Sequence, residues 1–379
     1  MRKQLVLVGG GHAHMVTLEN IGKFTEKGIQ VTVIAPSSHH YYSGMGPGML
    51  GHTYAPDDIR FATQKVVTSQ GGLFVKDRVT HIDPDRRRVF TETGKDLDYD
   101  VLSFNAGSYV PMGALGRIVP ADVPDNVYPV KPIEKLMEAS DRLAALFREK
   151  PAVVSVVGGG PSAAEVAGNV WQLARKTGGY PPKIRVFAGK GFMTRFASRV
   201  RDRVARTLVS RGIEILESGY VDRVFREEIL TASGEQFETD FTFMALGVVP
   251  SAIFEASGLP TGPDKGLAVN QYLQCPAYPE IFGGGDCIYH QPKALDKVGV
   301  YAVRENPVLL HNLMARLEGR PLQGFEPGPD YLLIFNLGGG QGVLKKRNLV
   351  FGGRPAFWIK DYIDRRFIRR FQAIEKGIT

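Results

Sequence analysis

The sequence predicts an α/β fold built around two βαβ units, and three observations predict it. The run Leu5-Val6-Leu7-Val8 ends in Gly9-Gly10-Gly11, then continues through a helix-compatible stretch to a second apolar run at 31–34. The run Val153-Val154-Ser155-Val156-Val157 ends in Gly158-Gly159-Gly160 and continues through 161–174 to a run at 184–187. Each copy reads as buried strand, glycine turn, helix and strand. A single G-x-G-x-x-G arises often by chance, but its recurrence in matching context points to two Rossmann-like dinucleotide-binding domains. The third observation is that β-type stretches follow each copy, at 73–79, 88–93 and 100–104 and again at 212–216, 220–225 and 240–245. Pro- and Gly-rich passages at 107–120 and 247–266 read as crossings between domains. The expected division is discontinuous: residues 1–112 with 268–325 form the first domain, 113–267 the second, and 326–379 a small C-terminal region with strand-like runs at 331–335 and 342–344 before an amphipathic helix.

Length favours two or three domains, and 43% hydrophobic with 23% charged residues is ordinary for a soluble chain. No segment approaches the roughly 18 apolar residues of a spanning helix. Met1-Arg2-Lys3 resembles the charged start of a signal peptide, yet the apolar run after it stops at Gly9 and reads as a first strand. Cys275 and Cys287 are the only cysteines, which excludes a disulfide scaffold and suits a reducing cytoplasm. The net charge of +8 is local: from Lys345 onward, ten Lys/Arg against three Asp/Glu give +7. Charge confined to one tail, without helix–turn–helix or aromatic signals, argues against nucleic acid and for a membrane surface.

In the first turn, Gly9, Gly10 and Gly11 let backbone N–H groups approach a pyrophosphate at a helix N-terminus begun by His12 and Ala13. The third glycine position is His14, and the acid expected after the next strand is replaced by Ala35-Pro36, which leaves ribose contacts to backbone groups or to Ser37 and Ser38. In the second turn, Gly158, Gly160 and Ala163 form G-x-G-x-x-A, with Pro161 at the first helical position, Ser162 beside it and Glu165 in the first turn. The acid is again missing, at Ala188-Gly189-Lys190. A carboxylate there favours NAD, whereas a cation tolerates the 2′-phosphate of NADP. Lys190 and Arg195 therefore either admit NADPH or are solvated surface charges, and the choice between NADH and NADPH stays open.

Ile281-Phe282-Gly283-Gly284-Gly285-Asp286-Cys287 is an apolar strand ending in Gly-Asp. Together with Asn105-Ala106-Gly107-Ser108 and Ala245-Leu246-Gly247 it completes a recognisable set, and the chain resembles the two-dinucleotide-binding-domain flavoproteins, the pyridine nucleotide-disulfide oxidoreductase superfamily. Within it the likeness is to type II NADH dehydrogenases, sulfide:quinone reductases and the flavoprotein modules fused to selenophosphate synthetases. Tyr42-Ser43-Gly44-Met45-Gly46-Pro47-Gly48, Pro56-Asp57-Asp58-Ile59, Val130-Lys131-Pro132 and Tyr301-Ala302-Val303-Arg304-Glu305 carry it, and it extends from Leu5 to about Arg370. The resemblance implies noncovalent FAD in the first domain, held by Gly9, Gly10, Gly11, His12, Ala13, Ala35, Pro36, Pro47, Ala106, Gly107, Gly285 and Asp286. Val298 and Tyr301 would open a helix whose positive end faces the flavin. The second domain would take NAD(P)H as substrate along Gly158, Gly160, Pro161, Ser162 and Gly247. Glu165, Lys131, Arg304 and Glu305 are the expected catalytic residues, and a quinone the expected acceptor.

Cysteine separates the subfamilies. Disulfide reductases of the superfamily need a cysteine pair just after the first domain's second strand, and 37–51 contains none. Sulfide:quinone reductases likewise need reactive thiols, whereas Cys275 and Cys287 read as buried small hydrophobes. What remains is hydride transfer from nicotinamide to flavin and delivery of two electrons onward. Type II NADH dehydrogenases carry Ala-Gln-x-Ala-x-Gln beneath the flavin; here Val300 and Arg304 replace both glutamines. Arg304 and Glu305 then either bracket a quinone carbonyl or form an ion pair. The competing readings are another donor, such as sulfide, and a partner-dependent electron relay with a vestigial nicotinamide site.

In the tail, Ile359, Ile363, Phe367, Phe371 and Ile374 fall on one helical stripe widened by Trp358, Tyr362 and Ile368, with Lys360, Arg365, Arg366, Arg369 and Arg370 mostly on the other side. Such a helix suits an anionic bilayer and a cytoplasmic protein peripheral on the membrane's inner face. The alternative is that the stripe packs on the core or on a homodimer partner. His12, His14, His39, His40 and His52 have no cysteine or carboxylate to complete a ligand set, so no metal is expected, and some are expected to line the flavin.

Overall fold

The computed structural model describes residues 2–112, 118–120 and 122–377, so part of the first expected crossing, at 113–117, lies outside the described residues. The first glycine unit builds a five-stranded parallel sheet in spatial order Ile281–Gly283, Val101–Phe104, Gln4–Val8, Gln30–Ala35 and Leu73–Lys76. The second builds a like sheet from Val127–Pro129, Phe241–Met244, Val153–Val157, Lys183–Phe187 and Glu214–Leu216. Their central strands are unbroken apolar runs because both faces of a parallel sheet are covered; Leu5, Leu7, Val31, Val33, Val154, Val156 and Val186 are fully buried. In each sheet the strand before the glycine turn lies in the middle, so both turns open at carboxyl ends, where doubly wound sheets take their ligands.

The duplication is larger than the glycine units alone. An antiparallel meander precedes the strand that flanks each central strand: Val79–Asp83, Arg88–Thr91 and Asp96–Asp98 in one, Val221–Val224, Glu228–Thr231 and Gln236–Glu238 in the other. After each meander an aspartate ties off the central strand: Asp100 accepts from the Gln4 N–H and Asp240 from the Val153 N–H, both at 2.7 Å. The two expected crossings meet, since Ser108–Tyr109 pairs antiparallel with Val249–Pro250 to make a short ribbon.

The two glycine helices differ. Pro161–Thr177 is continuous, whereas the first is a 3-10 turn at His12–His14 followed by Met15–Glu19 and Ile21–Thr25. The break falls at Asn20, whose amide donates back to the Val16 carbonyl at 2.8 Å and competes with the helical ladder.

The C-terminal meander, Leu333–Asn336, Gly342–Lys346 and Leu349–Gly353, seats on the second glycine helix. Only glycines allow this approach: a Cβ at Gly168 would lie 2.2 Å from the Leu337 carbonyl, and one at Gly338 (φ +72°) 2.2 Å from the Gly168 carbonyl. The chain then enters the helix Arg354–Glu375, which crosses to the first sheet's side, where Gln372 donates to the Asp57 and Arg60 carbonyls and Phe371 packs on Phe61.

Here the expected stripe divides. Phe367, Phe371, Ile374 and Ile368 turn into the core, while Ile359, Ile363, Trp358 (63% exposed) and Tyr362 (65%) stay outside. Lys360, expected on the polar side, is buried. Its ammonium finds Asp364 at 2.6 Å one helical turn on and the Gly44 carbonyl at 2.8 Å. Arg365 grips Asp361 and lies over the Tyr54 ring, Arg370 pairs with Glu19, and Arg366 and Arg369 remain exposed. Among the described residues no helix is long and apolar enough to cross a membrane.

Candidate functional site

The first glycine turn is pressed against main chain. Gly9 has φ +89°, and a Cβ there would stand 2.3 Å from the Asn105 carbonyl; one at Gly11 would stand 2.3 Å from Asn105 Oδ1. Asn105 is the hub of the turn, accepting from the Ala13 N–H (3.2 Å) and donating to the Gly284 carbonyl (2.8 Å), which joins the turn to the Gly-Asp motif. His14 explains the broken glycine pattern. Its Nδ1 donates to the Gly9 carbonyl at 2.7 Å, so Nε2 accepts from the Ser103 hydroxyl at 2.8 Å. Burial pulls this imidazole down to about 4, so it is the neutral tautomer that braces the turn from beneath.

Asp286 lies at the mouth of the turn. Lys131 Nζ and the Ser108 hydroxyl both donate to its Oδ2 at 2.8 Å. Burial alone would raise this carboxyl, but the Lys131 charge and the two donors outweigh it and hold the group below its ordinary value. Gly285, Asp286, Val298, Tyr301 and Glu305 line one cleft with Lys297, at the start of the helix Gly299–Glu318. Glu305 is fully inside, its Oε2 accepting from the Gly285 N–H at 2.5 Å, and burial pushes its carboxyl up to about 7.

Arg304 departs from expectation. Its guanidinium turns to the Pro327 and Asp330 carbonyls, pinning the segment before the C-terminal meander, so Arg304 and Glu305 neither bracket a common point nor pair with each other. The physical reason is helical geometry, since adjacent residues on a helix face different ways.

An aromatic cluster closes the inner side of the turn. His12 stacks on Phe367 (centroids 6.0 Å, planes 8° apart), lies 5.0 Å from the Tyr42 ring and meets His40 edge-on. Burial pulls His12 down to about 4 and His40 to about 3, and His12 Nε2 is a buried nitrogen without a partner. Tyr42 donates to Asp364, which carries the cluster to Lys360. Ala35 ends the second strand and Pro36 follows it, Pro47 lies in the first turn of the short helix Gly46–Leu50, and Ala106 and Gly107 run from Asn105 into the ribbon. His39 bonds with Ser38 rather than with the cluster.

The second turn repeats the first in backbone. A Cβ at Gly158 would lie 2.3 Å from the Ala245 carbonyl, and one at Gly159 2.7 Å from the Gly191 carbonyl, whereas Gly160 is open on its outer side. Pro161 and Ser162 begin the helix there, with Ser162 and Gly247 exposed. Glu165 points the other way from the turn's mouth, accepting from the Asn336 N–H at 2.8 Å beside Lys360; burial pushes it up to about 7 against the pull of that ammonium. Both thiols are free and buried, and burial drives Cys287 up to about 12. A larger cleft lined by Asn126, Arg142, Lys150, Arg226 and Asp240 lies at the opposite, amino end of the second sheet's strands and holds none of the residues the sequence singles out.

The residues present fit a dinucleotide cofactor: glycine cradles that a Cβ would fill, helix starts behind them, and an anchored carboxylate at the mouth. Sequence reasoning missed Ser103, Asn306, the Tyr42–Phe367 pair and Thr63, whose methyl group lies 2.6 Å from where a Cβ at Gly10 would stand. Asn306 takes the Val16 N–H and donates to the His12 carbonyl, bonds that no local pattern announces.

The family model described as pyridine nucleotide-disulphide oxidoreductase matches residues 3–305. A type II NADH:quinone oxidoreductase of Staphylococcus saprophyticus is 25% identical over 403 aligned residues, covering 98% of this chain and 97% of the relative. Ferroptosis suppressor protein 1 of Taeniopygia guttata is 27% identical over 289, covering 72% and 71%. Two solved structures share the fold: the sulfide:quinone oxidoreductase of Aquifex aeolicus, with TM-score 0.80 at 18% identity over 98% of this chain and 92% of that one, and NDH2 of Plasmodium falciparum in complex with NADH, with TM-score 0.79 at 15% over 99% and 97%.

Proposed function

The chain belongs to the pyridine nucleotide-disulphide oxidoreductase family, and from that premise we propose that it oxidises NAD(P)H through FAD and passes the electrons to a quinone. It is an oxidoreductase with FAD as cofactor and NAD(P)H as substrate. One observation carries the reading: two matched glycine cradles stand at the carboxyl ends of two sheets, with both thiols buried, free and unfit to shuttle electrons. FAD held in the first cradle would supply the redox chemistry, a hydride acceptor for the nicotinamide and a two-electron donor for the acceptor.

The chain's own residues hold and orient. In this proposal Gly9, Gly10, Gly11, His12 and Ala13 take the pyrophosphate, braced by Asn105 and His14, and Asp286, fixed by Lys131 and Ser108, orients the chain beyond it. The start of the helix at Val298 and Tyr301 would offer its positive end to the flavin, and Glu305 holds Gly285 in register. Gly158, Gly160, Pro161 and Ser162 take the nucleotide. Residues 1–112 with 268–325 are the FAD domain and 113–267 the NAD(P) domain, an assignment supported by the strand membership of the two sheets.

Full-length similarity to a relative named for quinone reduction supports the acceptor. The acceptor is taken toward the aromatic cluster of His12, Tyr42 and Phe367, beneath the C-terminal helix. The exposed Trp358, Ile359, Tyr362 and Ile363, followed by Arg366 and Arg369, support attachment to the inner face of the membrane, where a lipid quinone dissolves.

The test is anaerobic mixing of the flavin-loaded protein with NADH or NADPH, followed by a soluble quinone. Bleaching of the flavin band and its recovery on adding quinone is the expected result. No bleaching with either nucleotide removes the nicotinamide reading, and bleaching without recovery removes the quinone.

A further inference from the structure

The inference rests on the second cradle taking a nicotinamide nucleotide and goes on to say which one. We propose that this cradle is built for the 2′-phosphate of NADPH, with Lys190 as the residue that reads it and Tyr220 as the platform for the adenine.

The argument begins at the end of the strand Lys183–Phe187. The next residues form the wall of the cradle. A Cβ at Gly159 would meet the Ala188 carbonyl at 2.8 Å and the Gly191 carbonyl at 2.7 Å, and the Met193 N–H donates to the Gly159 carbonyl at 2.7 Å. A nucleotide on the glycine turn therefore lays its adenosine end along 188–191. At the position where a carboxylate would grip both ribose hydroxyls, and would repel a phosphate, stands the methyl group of Ala188.

The charge that does face this wall is positive and held in place. Gly189 has φ +63° and bridges Gly219 in antiparallel fashion. The Tyr220 ring covers Gly189, 2.7 Å from where a Cβ would project, so the ring cannot lie there over any other residue without moving. Lys190 Nζ lies 5.7 Å from the centroid of that ring. Tyr220 is 59% exposed, a large apolar surface left open beside the cradle.

The Glu217 carboxylate beside this wall is committed elsewhere. Glu217 Oε1 accepts from the Phe192 N–H at 2.5 Å and so holds the loop closed. Arg195 is exposed on the same loop, and among the described residues neither Lys190 nor Arg195 is paired with a carboxylate. A cation beside an aromatic face, with a second exposed on the same loop, suits a phosphorylated ribose with a stacked base, since charge-assisted bonds to a phosphate dianion are the strong class of hydrogen bond.

The test compares two fragments that differ only in the 2′-phosphate, 2′,5′-ADP and 5′-AMP, by titration calorimetry on the FAD-loaded protein. The 2′-phosphorylated fragment is expected to bind about tenfold tighter or more, as one or two charge-assisted bonds imply. That preference should shrink with added salt. Lys190→Glu, on an exposed side chain, should bring the ratio to near one with Tm and FAD content unchanged, and Arg195→Glu should lower it. Equal affinities in the wild-type protein, or a ratio that Lys190→Glu leaves intact, overturn the inference. Flavin bleached by NADH and not by NADPH overturns it while leaving the proposed function standing. If neither fragment binds and neither nucleotide bleaches the flavin, both fall together.

Discussion

His14 stands where the glycine-turn pattern asks for glycine, and restoring the pattern should harm the protein. His14→Gly removes the bonds to Gly9 and Ser103 and leaves a hole beneath the turn. The expected cost is about 2–4 kcal/mol, as for other buried truncations that strip a polar partner. A melting experiment with and without FAD checks it, and an unchanged Tm refutes the bracing role. Asp286→Asn leaves the Lys131 ammonium at a half-buried position without its carboxylate, so FAD should be lost on desalting far faster than from the wild type. Much of this was legible in the residues: Gly9, Gly158, Lys131 and Asp286 all stand out. Their contacts were not, because Lys131 and Asp286 are 155 positions apart and only the closing of the first sheet by Ile281–Gly283 brings them together. The contacts of Arg304 were hidden for a related reason. Its charge stands out on the helix Gly299–Glu318, and only the path of 327–330 shows what its guanidinium holds.

The C-terminal helix shows where periodicity runs out. Its amphipathic character was plain, but periodicity put Lys360 on the polar side. What reverses it is Asp364, the Gly44 carbonyl and Glu165, the last two supplied by distant chain. The helix is thus both a wall of the interior and an outward face, and the two roles separate by mutation. Deleting 354–379 should lower Tm sharply and release FAD, because Phe61 and His12 lose their cover. Trp358→Ser with Tyr362→Ser should leave Tm and flavin reduction unchanged while weakening sedimentation with anionic vesicles. Retained vesicle binding would remove this face as the membrane contact, and a second copy of the chain covering it instead would read as a dimer in solution. The meanders, by contrast, were only half read. Thr91, Gly94 and Asp100 recur at the same spacing as Thr231, Gly234 and Asp240, a signal that would have extended the repeat beyond the glycine units.

At the scale of the whole molecule, buried titratable groups set opposing pH limits. His12, His14 and His40 are held neutral by burial, with folded values near 4, 4 and 3 against 6.5 in the open chain. Below pH 6.5 the unfolded chain gains protons that the folded one refuses, so the stability they contribute is present above 6.5 and lost as pH falls toward 4. Glu165 and Glu305, raised from 4.5 to about 7, act in reverse: their contribution is full below 4.5 and is lost as pH rises through 7. Tm should therefore peak between these limits, and Glu165→Gln should flatten the alkaline limb. A limb that keeps its slope in that variant places the titration elsewhere. Ser108 joins this scale to the first one. It belongs to the ribbon that ties the two crossings together, and its hydroxyl also grips Asp286. Two strands bonded side by side act as a leaf spring, one that would carry any nodding of the two sheets toward each other. If Asp286 anchors the cofactor as proposed, loading the cradle would stiffen the spring tied to it, and by reciprocity a stiffer spring would hold its cargo more tightly.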